Sequence, residues 1–173
     1  MQPSDIKTAV ERNVKAVTLR PKVGQGTAKT RVTLGSDLRC EVTDGPWTLA
    51  VGMTEKYGGD DSGPNPGVLG RAALGSCLAI GYAMWAARLG VPITSLSVEI
   101  EADYDVRGEL GVSDDVRPGY QEIRAIVSVE SEAPESEVLA MLDTADRRSS
   151  WLDNIRNPVP FSRQVRITAA KAG

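Results

Sequence analysis

The 173-residue chain contains no histidine, and this absence excludes several kinds of catalytic site. A Ser-His-Asp triad, a Cys-His dyad and a histidine-ligated metal site all need an imidazole. Two cysteines are also too few for a four-thiolate zinc site. Neither GxxxxGK[ST] nor GxGxxG occurs in the sequence, so we expect neither a metal nor a nucleotide cofactor. Any chemistry then depends on cysteine, carboxylates, lysine, arginine or tyrosine.

Aromatic residues and net charge are also low, and together they argue against nucleic acid or membrane partners. Aromatic side chains make up 5% of the chain and the net charge is −3, so neither a base-stacking platform nor a basic surface is expected. The longest apolar run, Ala72 to Ala87, is shorter than the roughly 20 residues of a membrane span. Met1 to Arg20 lacks the apolar run of a signal peptide. We therefore expect a cytoplasmic protein with reduced thiols.

Hydrophobic periodicity predicts an α+β fold in which residues 1–24 form an N-terminal extension and first strand and residues 25–173 form a single domain. The first strand is predicted at Ala16–Leu19. The remaining predicted strands are Arg31–Leu34, Leu38–Thr43, Trp47–Met53, Leu96–Val106, Ile123–Val129 and Phe161–Thr168. A helix is predicted from Pro134 to Arg148, followed by a shorter one capped by Ser149 or Ser150.

The most informative segment is a long apolar helix between these two groups of strands. Asn65 is a suitable N-cap, Pro66 suits the first helical position, and Gly90 suits the residue that ends the helix. Between Ala72 and Ala87 only Ser76 and Tyr82 carry polar atoms, which predicts a helix enclosed on nearly all sides. We expect a sheet and a second subunit to enclose it.

Cys77 lies near the middle of this helix, and two interpretations of it stay open. A buried cysteine usually acts as a small hydrophobic residue. A thiol in a fixed apolar site can also serve as a nucleophile if a nearby cation favours the thiolate. Cys40 lies in a short strand pattern, where a packing role is the better interpretation.

Two motifs resemble those of the OsmC/Ohr family of organic hydroperoxide resistance proteins. Residues 58–66, GGDDSGPNP, and residues 74–77, LGSC, resemble the entry to that family's catalytic helix. Residues 153–160, DNIRNPVP, resemble a C-terminal signature of OsmC-like members. The segment order agrees over about residues 25–168. The resemblance implies antiparallel sheets wrapped round a buried central helix in an intertwined homodimer, with active sites at the subunit interface.

Carried over residue by residue, the resemblance is incomplete. Cys77 falls on the family's peroxidatic position, whereas Ser149 stands at the position of its second, resolving cysteine. Gly67 stands where active members carry a glutamate. The arginine that lowers the thiol pKa in the family has two candidates here, Arg31 and Arg39, of which we select Arg31. The chain thus resembles an OsmC-like subgroup without the second cysteine.

Two functions follow from this pattern. In the first, the protein is a peroxidase-type oxidoreductase of the oxidative stress response. Cys77 then reduces small organic hydroperoxides, and an external thiol resolves the sulfenic acid because serine forms no disulfide. In the alternative, the fold is a dimeric small-molecule binding or stress-response protein and Cys77 is a passive wall residue. The ligand is expected to be a small hydrophobic electrophile or hydroperoxide, in a pocket lined by Ala73, Leu74, Ile80 and Gly81.

Overall fold

The computed structural model describes residues 3–169, in which short strands alternate with helices. The helices are α1 Pro3–Leu19, α2 Pro66–Leu89, α3 Val106–Glu109, α4 Glu135–Asp146 and α5 Ser150–Arg156. The strands are β1 Arg31–Leu34, β2 Cys40–Asp44, β3 Trp47–Val51, β4 Ser95–Asp103 and β5 Glu122–Glu130. This is the predicted α+β class.

The strands form two antiparallel sheets. The first has the order β1-β2-β3, with Val32 opposite Val42 and Val42 opposite Leu49. The second is the pair β4-β5, with Val98 opposite Val127. In β4, half-buried residues alternate with exposed ones, so one face packs inward and the other meets water.

Helix α2 is the centre of the core, and its predicted ends are confirmed. The Asn65 side chain accepts a hydrogen bond from the Val68 backbone N–H, and Gly90 adopts the left-handed conformation at φ 78°. The buried face of the helix packs against β4, α4 and α5, and α1 lies against it as well. The core cluster consists of Leu74, Leu78, Tyr82 and Ala145, with Trp85, Leu96, Val98, Ile100, Ile123, Val127, Leu142 and Leu152 packed around it.

The enclosure of α2 on nearly all sides is not achieved within one chain. Val68, Ile80 and Met84 are 39%, 61% and 40% exposed, on the side of the helix away from the core. Among the strands, β4 provides the broad contact with α2, whereas the three-stranded sheet packs chiefly on itself. A stripe of the helix at residues 68, 72, 76, 80 and 84, apolar apart from Ser76, is therefore left uncovered by residues 3–169.

The helix extends beyond the Ala72–Ala87 run at both ends, as its caps predict. Pro66–Leu89 has 24 residues and a mean hydropathy of 1.3 over its most apolar stretch, enough by length and composition to cross a membrane. However, one face packs against a sheet and two helices of the same chain, and those contacts are typical of a core helix in a folded domain.

Two predicted strands are wrong. Ala16–Leu19 is the last turn of α1, whose apolar residues Ile6, Val10, Val14 and Val17 recur at helical spacing, and the helix packs against α2. Phe161–Thr168 lies in no sheet, and Phe161 and Ile167 are 91% and 92% exposed. An alternating pattern forms a strand only where a neighbouring edge supplies hydrogen bonds, and none of the described strands does so. The division at residue 24 stays a prediction.

Candidate functional site

Cys77 lines a cleft between α2 and the corner where α4 meets α5. The cleft has a volume of about 360 Å³ and is lined by Cys77, Ile80, Gly81, Met84, Trp85, Ala145, Arg148, Ser149 and Ser150. This volume lies at the lower end of the range typical of small-molecule sites. Cys77 is half-buried and unpaired, so a reagent that enters the cleft can reach its sulfur.

Two serine hydroxyls lie beside the thiol. Cys77 Sγ is 3.6 Å from Ser149 Oγ and 3.8 Å from Ser150 Oγ, within hydrogen-bonding range for sulfur. Ser149 is buried, and it is the N-cap of α5, where its hydroxyl accepts a hydrogen bond from the Leu152 backbone N–H. The structure thus brings together the two residues that the family resemblance singled out, 72 positions apart in the chain.

These neighbours favour the ionised form of the thiol. Burial by itself raises the pKa of Cys77, but the backbone N–H of Trp151 and the Ser149 and Ser150 hydroxyls outweigh it, and the pKa lies below its usual value. Amide hydrogens at the start of a helix carry partial positive charge, so they stabilise an adjacent thiolate. Within residues 3–169, this stabilisation comes from α5 rather than from an arginine.

A partly buried hydrogen bond fixes the corner against α2. The Tyr82 hydroxyl donates to Asp146 Oδ1 at 2.7 Å, about one and a half helical turns beyond Cys77 and just before the α4–α5 junction. Burial and the Asp146 carboxylate both raise the pKa of Tyr82, which keeps the phenol protonated as the donor. The bond joins α2 to the end of α4 and so positions Ser149 over the thiol.

The candidate arginines are not beside the thiol in the single chain. Arg31 lies at the start of β1 and lines a different, open groove with Ala28, Lys29, Thr30 and Thr43. Arg39 is exposed in the turn before β2. Cys40 is half-buried in β2 opposite Leu34 and Val51, and it forms no disulfide with Cys77. The role assigned to Arg31 stays a prediction.

The glycine at the family's glutamate position has its own polar neighbours. The Gly67 carbonyl accepts a hydrogen bond from the Tyr120 hydroxyl at 3.1 Å, and Arg71 donates to the same hydroxyl at 3.0 Å. A Cβ at position 67 would lie 3.2 Å from both Tyr120 Oη and Asn65 Oδ1. The space beside Gly67 is therefore already occupied by Tyr120 and the helix cap.

The predicted cleft lining is half right. Ile80 and Gly81 line the cleft, but Ala73 does not, and Leu74 is buried in the core. Sequence reasoning missed Met84, Trp85, Ala145, Arg148 and Ser150. The available signal was helical spacing, because residues 77, 81, 84 and 85 share one side of a helix. For the other wall the signal was adjacency in sequence, because Arg148 and Ser150 flank Ser149.

The site and fold together define a class: an α+β protein that presents a half-buried thiol from a central apolar helix at a cleft. The model of the family described as OsmC-like protein matches residues 59–163. The chain belongs to the OsmC-like protein family. A comparison with curated proteins finds no match.

Solved structures agree with this fold. An OsmC-like protein from Mycoplasma pneumoniae is 14% identical with a TM-score of 0.67, covering 78% of this chain and 90% of that one. An organic hydroperoxide resistance protein OsmC from Legionella pneumophila is 18% identical with a TM-score of 0.57, covering 76% and 90%. One from Elizabethkingia anophelis, with thiocyanate bound, is 14% identical with a TM-score of 0.59, covering 78% and 91%. At these identities the similarity shows the fold alone.

Proposed function

We propose that this protein reduces small organic hydroperoxides through Cys77 and that an external thiol completes the cycle. The observation that carries the proposal is the contact between the Cys77 thiol and the Ser149 hydroxyl in a cleft with apolar walls. The lowered pKa of Cys77 supports it, because the thiolate is the attacking species. The fold shared with organic hydroperoxide resistance proteins from two bacteria is consistent with it.

The chemistry balances with one protein thiol. The Cys77 thiolate attacks the terminal oxygen of the hydroperoxide, so an S–O bond forms, the O–O bond breaks, and the organic fragment leaves as an alcohol after taking a proton. Cys77 is oxidised to a sulfenic acid and the hydroperoxide is reduced. An external thiol then displaces water to form a mixed disulfide, and a second thiol restores Cys77 by exchange. Ser149 has no sulfur, so its hydroxyl can contact the Cys77 sulfur but cannot resolve the sulfenic acid.

The working unit in this proposal is a cytoplasmic homodimer. The uncovered stripe of α2 and the exposed Val32, Leu34, Trp47 and Leu49 of the three-stranded sheet support it, because large exposed apolar patches mark interaction sites. The unpaired alternating segment at residues 161–168 has the pattern of a strand that pairs with another subunit. In such a dimer Arg31 of one subunit approaches Cys77 of the other. Light scattering at micromolar concentration should give twice the chain mass, and a monomer would contradict it.

The substrate experiment compares hydroperoxides of different apolar content. Each buried methylene contributes about 0.8 kcal/mol, so alkyl or aryl hydroperoxides should oxidise Cys77 at least about tenfold faster than hydrogen peroxide does. Mass spectrometry should find the oxidation on Cys77, with no Cys40–Cys77 disulfide, and turnover should require added thiol. Cys77→Ser should abolish the reaction while Cys40→Ser retains it. Equal rates with hydrogen peroxide, or no oxidation, would favour the binding-protein alternative.

A further inference from the structure

The charge of the Cys77 cleft differs from that of the whole protein. The chain carries a net charge of −3. Yet of the nine residues that line the cleft in the described part of the chain, Arg148 is the single charged one, and no carboxylate is among them. Within one chain, a ligand in the cleft therefore meets apolar walls, the serine hydroxyls and one cation.

The Arg148 guanidinium is available for a ligand. Within residues 3–169 it makes neither an ion pair nor a side-chain hydrogen bond, and it is exposed. The neighbouring Arg147 differs, since it donates to Thr144 Oγ1 at 3.1 Å and does not line the cleft. The nearest carboxylate in sequence, Asp146, accepts the Tyr82 hydroxyl. Five N–H donors in a planar fork are thus free to bind a carboxylate.

The place of Arg148 relative to the sulfur matters more than its charge alone. It directly precedes Ser149, whose hydroxyl is 3.6 Å from Cys77 Sγ. The causes of the lowered pKa of Cys77 are amide and hydroxyl hydrogen bonds rather than a charge on Arg148. The guanidinium therefore has no established role toward the thiol, and because both residues line one cleft, a molecule bound to Arg148 can extend toward the sulfur.

The apolar side of the cleft determines the length and the apolar character of the part of the ligand that does not bind Arg148. Cys77 and Trp85 are eight positions apart on α2, about 12 Å along the helix axis. Ile80 and Met84 form the wall between these two residues, and Trp85 closes the far end of the cleft. Arg88 stacks on the Trp85 ring at 4.7 Å from its centroid and so holds the ring in place. The cleft thus suits a short apolar body with a carboxylate.

We propose that Arg148 makes the Cys77 cleft selective for reactants that carry a carboxylate, with the apolar body along α2 and the reacting atom at the sulfur. This inference deepens the proposed function, because the carboxylate belongs either to the hydroperoxide or to the thiol that resolves the sulfenic acid. Both must reach the same sulfur through the same cleft. Arg148 is then a specificity-determining residue of this chain.

The deciding experiment needs no peroxidase activity. Iodoacetate and iodoacetamide alkylate thiolates and have nearly the same size, but the first is a carboxylate and the second is neutral. The ratio of their rates at Cys77, measured by peptide mass spectrometry and divided by the ratio for free cysteine, reports attraction of the carboxylate. In the intact protein this normalised ratio should be roughly 3 to 5, which is the effect expected of an ion pair in an open site. Because both reagents read the same thiolate, a change in the pKa of Cys77 cancels.

Three variants test whether Arg148 causes the preference. Arg148→Gln should reduce the normalised ratio to about 1, Arg148→Lys should retain most of it, and Arg147→Gln should leave it unchanged. A ratio unaffected by Arg148→Gln, or lowered equally by Arg147→Gln, would overturn the proposal. Circular dichroism of each variant ensures that a misfolded protein is not scored, and if Arg148→Gln does not fold, a normalised ratio of about 1 in the wild type would by itself overturn the proposal.

Two further arms identify the source of the carboxylate. A carboxylic acid hydroperoxide and its methyl ester are compared for oxidation of Cys77, and 3-mercaptopropionate and 2-mercaptoethanol are compared for reduction of the sulfenic acid. The arm in which Arg148→Gln removes a preference for the acid identifies the natural reactant class. If Arg148→Gln leaves the preference for the acid unchanged in both arms, the inference is refuted. If no hydroperoxide oxidises Cys77, the proposed function fails while the alkylation ratio still decides the role of Arg148.

Discussion

Replacement of Ser149 by cysteine should convert the protein into a self-resolving thiol system. The serine hydroxyl is 3.6 Å from Cys77 Sγ, and a disulfide needs about 2.05 Å between sulfurs. The longer C–S bond and a small side-chain rotation cover the difference. One equivalent of an organic hydroperoxide should first oxidise Cys77 in the Ser149→Cys variant to a sulfenic acid. The introduced thiol should then displace water and form a disulfide with Cys77, which mass spectrometry detects.

The magnitude follows from the loop that this bridge closes. It joins positions 72 apart in the chain, and a loop of that length stabilises the folded state by at most about 4 kcal/mol through the entropy of the unfolded chain. The variant loses the hydroxyl that accepts the Leu152 N–H at 3.4 Å, and loss of an N-cap costs about 1 kcal/mol. The free energy of unfolding of the oxidised variant should therefore be about 3 kcal/mol higher than that of the wild type. That of the reduced variant should be about 1 kcal/mol lower.

The assay is thermal unfolding with and without reductant. A gain of about 3 kcal/mol raises the Tm by roughly 6–12 °C for a chain of this size. Ser128→Cys is the matched control, because Ser128 lies opposite Ser97 on the exposed face of β5 and offers a third thiol away from the cleft. If Ser149→Cys forms a sulfenic acid at Cys77 but no bridge, the contact between α5 and α2 is not the one described.

Three other outcomes test the local structure. The folded state lowers the pKa of Cys77, so ionisation of this thiol stabilises the fold above the usual thiol pKa, and the stabilisation is lost as the pH falls through the lowered value. The free energy of unfolding in urea should therefore rise with pH in the wild type relative to Cys77→Ser. A constant difference between the two proteins at all pH values would contradict this. Asn65→Ala should lower the free energy of unfolding by about 1 kcal/mol through loss of the α2 cap, whereas Asn65→Asp should keep it in the same titration. The change in the free energy of unfolding caused by Gly67→Ala should be about 0.5–1 kcal/mol more favourable in a Tyr120→Phe background than in the wild type, because the added Cβ lies 3.2 Å from the Tyr120 hydroxyl. Additive effects of the two substitutions would mean that the two groups do not touch.

Elements with short-range signals were predictable from the sequence. The caps at Asn65 and Gly90 fixed both ends of α2, and Ser149, one of the two residues predicted to cap α5, is its N-cap. These signals work because capping depends on hydrogen bonds within one turn. The first and last predicted strands failed for the opposite reason. At Ala16–Leu19 the pattern was too short to distinguish a strand from a helix end, and at Phe161–Thr168 no strand of the described chain offers an edge.

By itself, the sequence determined that this protein carries a thiol at a defined point of a long apolar helix, and that no imidazole accompanies it. Composition and helix-end signals suffice for that, because both are local. Only the tertiary structure decided that Ser149 and Ser150 contact the thiol, that Arg148 shares its cleft and that Arg31 does not. The physical reason is that these contacts depend on how α4 and α5 pack against α2, with the Tyr82–Asp146 hydrogen bond fixing that packing across 64 positions of the chain.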